Sequence, residues 1–242
     1  MIFFNNKKVN KFGGNNRIYQ GDWLIYQTYT GDILEPIEPS IDYTPIQYIS
    51  NISGNSKNDI SQIGFDFYVT ITERTKFQIE YEIIYGDGGL FIGDTTSQFD
   101  DGKDLRLFHL GTSSLYFDVY SNRVSTSISN LGKNENGHIE IECGNSYIKS
   151  LVNDYVRERT PIESFTLGNL TLWHRYATLP NYDLTNVDGC RVFYLKIYDG
   201  DELIRDLIPV LDKDGIGCFF DKVNKNFYYK EGEGEVFLGE AI

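Results

Sequence analysis

The segment Phe77-Gln78-Ile79-Glu80-Tyr81-Glu82-Ile83 carries an apolar side chain at every odd position and a polar one at every even position. Successive side chains of a strand point to opposite faces, so this period of two reads as a strand with one face in a core and the other in water. The same reading fits Asp66 to Ile71, Leu105 to Leu110, Leu115 to Tyr120 and His138 to Cys143. Val192-Phe193-Tyr194-Leu195 is apolar throughout, as in a strand covered from both sides. Breaks such as Gly86-Asp87-Gly88-Gly89 and Asn134-Glu135-Asn136-Gly137 punctuate these runs. About a dozen short strands follow, for which two stacked antiparallel sheets are the expected packing. The 18 Tyr and 16 Phe against one Met suit pleated surfaces. Ile148 to Arg159 is the nearest thing to a helix, but Tyr, Val and Asn dilute its propensity.

A chain of 242 residues accommodates one large β-domain with a short appendage, or two small domains. Residues 1–30 hold short apolar groups split by Gly13-Gly14-Asn15-Asn16, a loop signal between two small strands. The second group, Arg17 to Tyr26, has Gly21-Asp22 placed as a hairpin turn. Pro36, Pro39 and Pro45, half of the six prolines, favour extended chain over helix or central strand. The expected division is an arm at 1–30, a linker at 31–45 and a body at 46–242.

The net charge is −13, which argues against nucleic acid as a partner, since phosphate binding is driven by Lys and Arg. Lys7, Lys8, Lys11 and Arg17 are nevertheless the only charged side chains before Asp22, so a basic arm precedes an acidic body. No apolar run approaches the ~18 residues of a membrane span. Met1 to Asn10 lacks the apolar core of a signal peptide. Cys143, Cys190 and Cys218 form no C-x-x-C pair and are expected to be free, buried thiols in a chain folded in a reducing cytoplasm.

The C-terminal region carries Arg191 to Asp199, Gly200-Asp201, Glu202 to Val210, Asp214-Gly215-Ile216-Gly217, Asp221-Lys222-Val223 and Asn226 to Gly232. In sequence and spacing it resembles the ending of concanavalin-A-like (laminin-G-like) jelly-roll domains in virion structural proteins of tailed bacteriophages. Gln47-Tyr48-Ile49 and Thr75 to Tyr81 resemble the family's opening, and Leu170-Thr171-Leu172-Trp173 falls where an internal strand is expected. The arm is similar to short adaptor hairpins of phage virion proteins, those of crAss-like phages among them. The resemblance implies an all-β, two-sheet antiparallel jelly roll preceded by a docking hairpin. Locally, Asp199-Gly200-Asp201 is expected to turn one strand into the next, and Arg205 and Asp206 to point to opposite faces.

Chemistry finds little purchase. Glu80 with Glu82, and Glu140 with Glu142, sit at i and i+2, but the related laminarinase-type hydrolases use Glu-x-Asp-x-x-Glu, which neither pair reproduces. Asp212-Lys213-Asp214-Gly215 and Asp100-Asp101-Gly102-Lys103-Asp104 read as turns rather than calcium loops. His109, His138 and His174 lack metal-ligand spacing. No catalytic residue, metal or cofactor is therefore expected. The expectation is a non-enzymatic virion component, capsid-decorating, head-fibre or tail-associated, assembled in the host bacterial cytoplasm. Lys7, Lys8, Lys11, Arg17, Tyr19, Trp23 and Tyr26 would form its docking arm toward other virion proteins, and the body would associate as a dimer or trimer. The competing expectation is an adhesin for host surface glycan, with Trp173, Tyr176 and Tyr182 as its aromatic platform.

Overall fold

The computed structural model describes residues 2–4, 7–12, 17–20, 23–27, 41–51, 62–84, 92–94, 104–110, 114–120, 124–129, 131–161, 164–167, 170–173, 189–231 and 235–242. Among these residues there is no helix, and so none long and apolar enough to cross a membrane. The chain divides into two units, Met1–Asp42 and Tyr43–Ile242.

In the first unit, β1 (Ile2–Phe4), β2 (Lys7–Phe12), β3 (Arg17–Gln20) and β4 (Trp23–Gln27) form a four-stranded antiparallel sheet in chain order. The hairpin expected over Arg17 to Tyr26 corresponds to β3 and β4, paired from Arg17↔Gln27 to Gln20↔Trp23, with a bulge between Ile18 and Tyr19. Two further strands extend it, through Phe3↔Lys8 and Lys11↔Ile18. An isolated hairpin is marginal in water, whereas three or more strands approach what a sheet needs. The turn residues Gly13 to Asn16 and Gly21-Asp22 lie outside the described residues.

The second unit runs through β5 (Tyr43–Pro45), β6 (Ile49–Asn51), β7 (Gln62–Gly64), β8 (Val69–Ile71), β9 (Thr75–Ile83) and β10 (Ile92–Asp94). Then come β11 (Asp104–Leu110), β12 (Ser114–Tyr120), β13 (Val124–Ile128), β14 (Ile139–Gly144), β15 (Tyr147–Ser150) and β16 (Val156–Glu158). The last part holds β17 (Phe165–Leu167), β18 (Leu170–Leu172), β19 (Cys190–Asp199), β20 (Glu202–Asp212), β21 (Gly217–Asp221), β22 (Asn226–Glu231) and β23 (Val236–Leu238). One antiparallel run is β16-β15-β14-β9-β19-β20-β21-β22. A second, β13-β12-β11-β10-β18-β7, joins it where β7 pairs with β22. β8 and β17 make a separate two-stranded sheet. This all-β architecture is consistent with a β-sandwich. β5 pairs with β20, so Tyr43–Pro45 belong to the body rather than to a linker ending at 45. The expected linker residues 31–40 lie outside the described residues.

The alternation in β9 does what its sequence implies. Thr75, Phe77, Ile79 and Tyr81 are buried, and the polar positions between them are only half-covered. Ile79 stands between Ile141 of β14 and Leu195 of β19, so three strands contribute one apolar row to the core. Burying side chains of this size stabilises by about 1.5–3 kcal/mol each.

Three local expectations change. β19 is not equally covered on its two faces: Cys190, Val192, Leu195 and Ile197 are buried, whereas Phe193, Tyr194 and Lys196 are half-exposed. A bulge between Val192 and Tyr194 shifts the alternation by one residue and makes the run look uniformly apolar. Ile148 to Arg159 belongs to an antiparallel pair, β15 with β16, in keeping with its β-branched and aromatic content. Over Asp66 to Ile71 only Val69–Ile71 is strand, although Phe65 and Phe67 are both buried and stack with ring centroids 5.7 Å apart.

The C-terminal hairpin closes through Tyr198↔Leu203 and Asp199↔Glu202, leaving Gly200-Asp201 as a two-residue turn. Gly200 has φ +64, the left-handed geometry that a glycine-first tight hairpin turn requires. Arg205 and Asp206 do point apart. Arg205 Nε lies 3.6 Å from Asp221 Oδ2 with its guanidinium 4.5 Å from the Phe67 ring, and Asp206 Oδ2 takes Lys222 Nζ at 2.7 Å. The three cysteines are free and buried.

Candidate functional site

The pleat that sends Phe77, Ile79 and Tyr81 inward sends Gln78, Glu80 and Glu82 to the opposite face of the same sheet. Register adds their neighbours: Glu140 and Tyr194 flank Glu80, Glu142 and Lys196 flank Gln78, and Arg191 stands beside Glu82. Four carboxylates and several aromatic rings therefore share one outer surface.

Glu80 and Glu140 are direct cross-strand partners, a placement that repels when both are charged. The loop before β14 answers this. Asn134 Oδ1 accepts the backbone N–H groups of Asn136 and His138, each at 3.0 Å, which turns its amide nitrogen toward the acids. That nitrogen donates to Glu140 Oε1 at 2.5 Å and to Glu80 Oε1 at 3.3 Å. His138 Nδ1 lies 2.8 Å from the same Glu80 oxygen, and its ring stacks on Phe193 at 3.8 Å. The β19 bulge thus supplies the ring that holds His138.

The remaining acids are also engaged. Gln78 Nε2 donates to Glu142 Oε2 at 2.6 Å, and the Tyr147 hydroxyl donates to Glu142 Oε1 at 2.5 Å. Arg191 Nη1 donates to Glu82 Oε2 at 2.8 Å while its guanidinium stands 4.6 Å from the Tyr48 ring. Lys196 Nζ lies 4.9 Å from the centre of the Tyr194 ring. Burial, with Glu140 and Glu80 adding to it, pushes the Tyr194 phenol above its ordinary range. Burial and the bond to Glu142 do the same to Tyr147. The face is a preset array of acceptors, donors and rings.

At its β14–β16 edge lies an open groove of about 390 Å³. Glu142, Tyr147, Lys149 and Glu158 line it from the outer face, with Ser146, Val156 and Arg159 completing the wall. Arg159 is fixed there, donating from Nε to the Asn145 carbonyl at 2.8 Å and from Nη1 to the Phe117 carbonyl at 3.1 Å.

No protein-family model and no curated protein matches the chain. The site is therefore read from its own chemistry.

Among the residues singled out in the sequence, Trp173 is corrected most sharply. It has no exposed surface and fills the core, so it presents no face to a sugar. It also holds φ +62, a strained conformation for a bulky side chain that its surroundings must impose. Tyr176, Tyr182 and His174 lie outside the described residues. Lys7, Lys8 and Lys11 lie on β2, Arg17 and Tyr19 on β3, and Trp23 and Tyr26 on β4, with Lys8 opposite Phe3, Arg17 opposite Phe12 and Tyr26 opposite Ile18. His109 lies in β11 opposite Leu115.

The loop after β20 is a turn held by its own aspartate. Asp212 Oδ1 accepts the N–H groups of Asp214 at 2.9 Å and Ile216 at 2.8 Å, and Oδ2 accepts the Tyr229 hydroxyl at 2.9 Å. Of the other acidic loop only Asp104, the first residue of β11, is described. Burial raises the thiol pKa values of Cys143 and Cys190, and that of Cys218 to about 12, keeping all three protonated and poorly nucleophilic at neutral pH.

Sequence reasoning missed Asn134, Phe193 and Tyr147 as parts of the site. Asn134-x-Asn136-Gly137-His138 did signal a tight turn, but not that its amide would separate two carboxylates some sixty residues apart.

Proposed function

We propose that the chain is a non-enzymatic structural component of a tailed-bacteriophage virion, a capsid-decorating, head-fibre or tail-associated protein. In this reading it docks on other virion proteins through its first unit and projects a concanavalin-A-like jelly-roll body. The observation that carries it is the division into two units: a small one holding four strands and, ahead of Asp22, the basic side chains Lys7, Lys8, Lys11 and Arg17, and a large one that carries almost all of the chain's net charge of −13. Among the residues whose burial is described, the hydrophobic core runs from Ile46 to Tyr228 of the second unit. A small segment of four short strands suits one that gains order on binding. The C-terminal resemblance, with its Gly200-Asp201 turn, supports the family assignment.

Association of bodies as a dimer or trimer is part of the same proposal. β23 pairs with β6, and Phe237 and Leu238 on it remain exposed, with Ile216 and Ile242 also exposed. Apolar surface of this kind commonly marks an interface.

Removal of residues 1–42 tests the docking role. The expected product is a folded, soluble body that no longer joins particles during assembly in the host cytoplasm. Normal incorporation of that truncation overturns the reading.

A further inference from the structure

We propose that Asn136 is a site of spontaneous deamidation, and that its conversion to isoaspartate releases the hold of Asn134 on Glu80 and Glu140. The idea concerns only the loop ahead of β14 and does not depend on particle docking.

Asn136-Gly137 is the only Asn-Gly pair in the chain. Asparagine is among the thermolabile residues because the backbone nitrogen of the next residue can attack its side-chain carbonyl carbon. A following residue without a Cβ leaves that approach most open. Asn136 is exposed, and a Cβ added at Gly137 would meet nothing within 4 Å. Gly137 holds φ +84, so the turn itself requires the residue type that favours the reaction. Asn145, followed by the small Ser146, is buried instead, and serves as the contrast within the same chain.

In the reaction the Gly137 nitrogen gives up its proton and bonds to Asn136 Cγ, the Cγ–Nδ2 bond breaks, and ammonia leaves carrying that proton. Solvent water then opens the cyclic imide at either carbonyl. Opening at Cγ gives aspartate. Opening at the backbone carbonyl gives isoaspartate, whose main chain runs through Cβ and Cγ and is longer by a single carbon.

The longer chain falls where the turn tolerates it least. Asn134 N–H donates to the His138 carbonyl at 2.8 Å, and Gly137 N–H donates to the Asn134 carbonyl at 2.9 Å. Asn134 Oδ1 accepts the N–H groups of Asn136 and His138, which lie on either side of the altered bond. A carbon inserted between those donors carries one of them out of reach. The Asn134 amide then loses the bonds that orient it, and its nitrogen no longer stands between Glu80 and Glu140. These two acids are direct cross-strand partners, so the repulsion that Asn134 offsets returns, with a further carboxylate added nearby. Because the Gly137 nitrogen is tied to the Asn134 carbonyl, reaction proceeds through local opening of the turn and is slower than in an unstructured peptide.

Incubation of the full chain at mildly alkaline pH, beside a synthetic peptide spanning Leu131 to Ile141, tests this by peptide mapping with enzymatic detection of isoaspartate. The expected result is isoaspartate at position 136, with a mass gain of about 1 Da, formed about tenfold more slowly than in the peptide, and none at Asn145. Asn136→Gln should abolish it. In the isoaspartyl fraction the His138 amide should exchange its hydrogen at least about tenfold faster than in the parent. Asn136→Asp, which adds the charge without the carbon, should stay within about threefold of the parent in the same measurement. A folded chain unmodified at 136 after roughly ten half-lives of the peptide overturns the site, and an isoaspartyl fraction with parental exchange at His138 overturns the release. Particle incorporation of the truncated chain is a separate readout, so either idea can fail without the other.

Discussion

The outer face of β9 and β14 and the corner where β20 meets β21 both gather acidic side chains, and they handle them in opposite ways. On the outer face Glu80, Glu140 and Glu142 are half-buried and satisfied largely by neutral groups: an asparagine, a glutamine and a tyrosine, with His138 beside Glu80. At the corner Asp206 and Asp221 are buried and matched to Arg205 and Lys222. A half-wet carboxylate can share a dipole with a neighbour and remain open to a ligand. A carboxylate without water needs a cation or several N–H groups, and such a network holds structure together.

The corner should be where a single change does most damage. Asp221, with a side chain 0% exposed, accepts the Asp206 N–H at 3.2 Å, the Val223 N–H at 3.0 Å and the Asn224 amide at 2.9 Å, besides facing Arg205. Asp221→Ala leaves a largely buried guanidinium and three donors without their acceptor. A loss of about 3–5 kcal/mol in urea unfolding is expected. A loss under about 1 kcal/mol would erase the contrast between the two regions.

Gly144→Ala comes next, on the outer face. Its Cβ meets the ring of Tyr147 rather than a flexible chain end, and overpacking of this kind costs about 1–3 kcal/mol. Thermal unfolding measures the loss.

Glu140→Gln should cost almost nothing. It removes one of two like charges placed directly opposite and keeps an oxygen for Asn134, so the expected change is between zero and about 1 kcal/mol of stabilisation. A clear destabilisation would mean that the outer acids are structural like those of the corner.

The smallest effect belongs to the Asp212 turn. Backbone donation from Ile216 leads the causes that hold the Asp212 carboxyl below its ordinary range, and the Tyr229 hydroxyl bond adds to it. Its contribution is complete above the ordinary aspartate pKa and is lost as pH falls through the lowered one. Tyr229 is pushed up to about 12, by burial first and the bond to Asp212 second, so its contribution holds below the ordinary tyrosine range and fades as pH rises through about 12. NMR titration of both side chains checks this, and Asp212→Asn should move the Tyr229 midpoint back toward 10, the ordinary tyrosine value.

Local physics was legible in the sequence. The alternation of Phe77 to Ile83, the Gly200-Asp201 turn and the opposed directions of Arg205 and Asp206 each depend on neighbours within a few residues, and the structure keeps all three. What escaped depends on register across long separations. No local pattern says that Glu140 lands opposite Glu80, or that a bulge after Val192 carries Phe193 to the outer face. Trp173 illustrates the same limit. An aromatic residue ending a short strand reads equally well as platform or core, and only the packing of distant strands decides for core.

β6 carries a further consequence. Ile49 and Ser50 pair on one side with β19, and all three residues Ile49–Asn51 pair on the other with β23, so they are held by chain made some 140 and 190 residues later. During synthesis the start of the body therefore has to wait, unzipped, until Val236–Leu238 have left the ribosome. Chaperone dependence during translation and sensitivity to fusions placed directly after Leu238 follow from that delay, and both would be relieved in a circular permutant beginning ahead of β19.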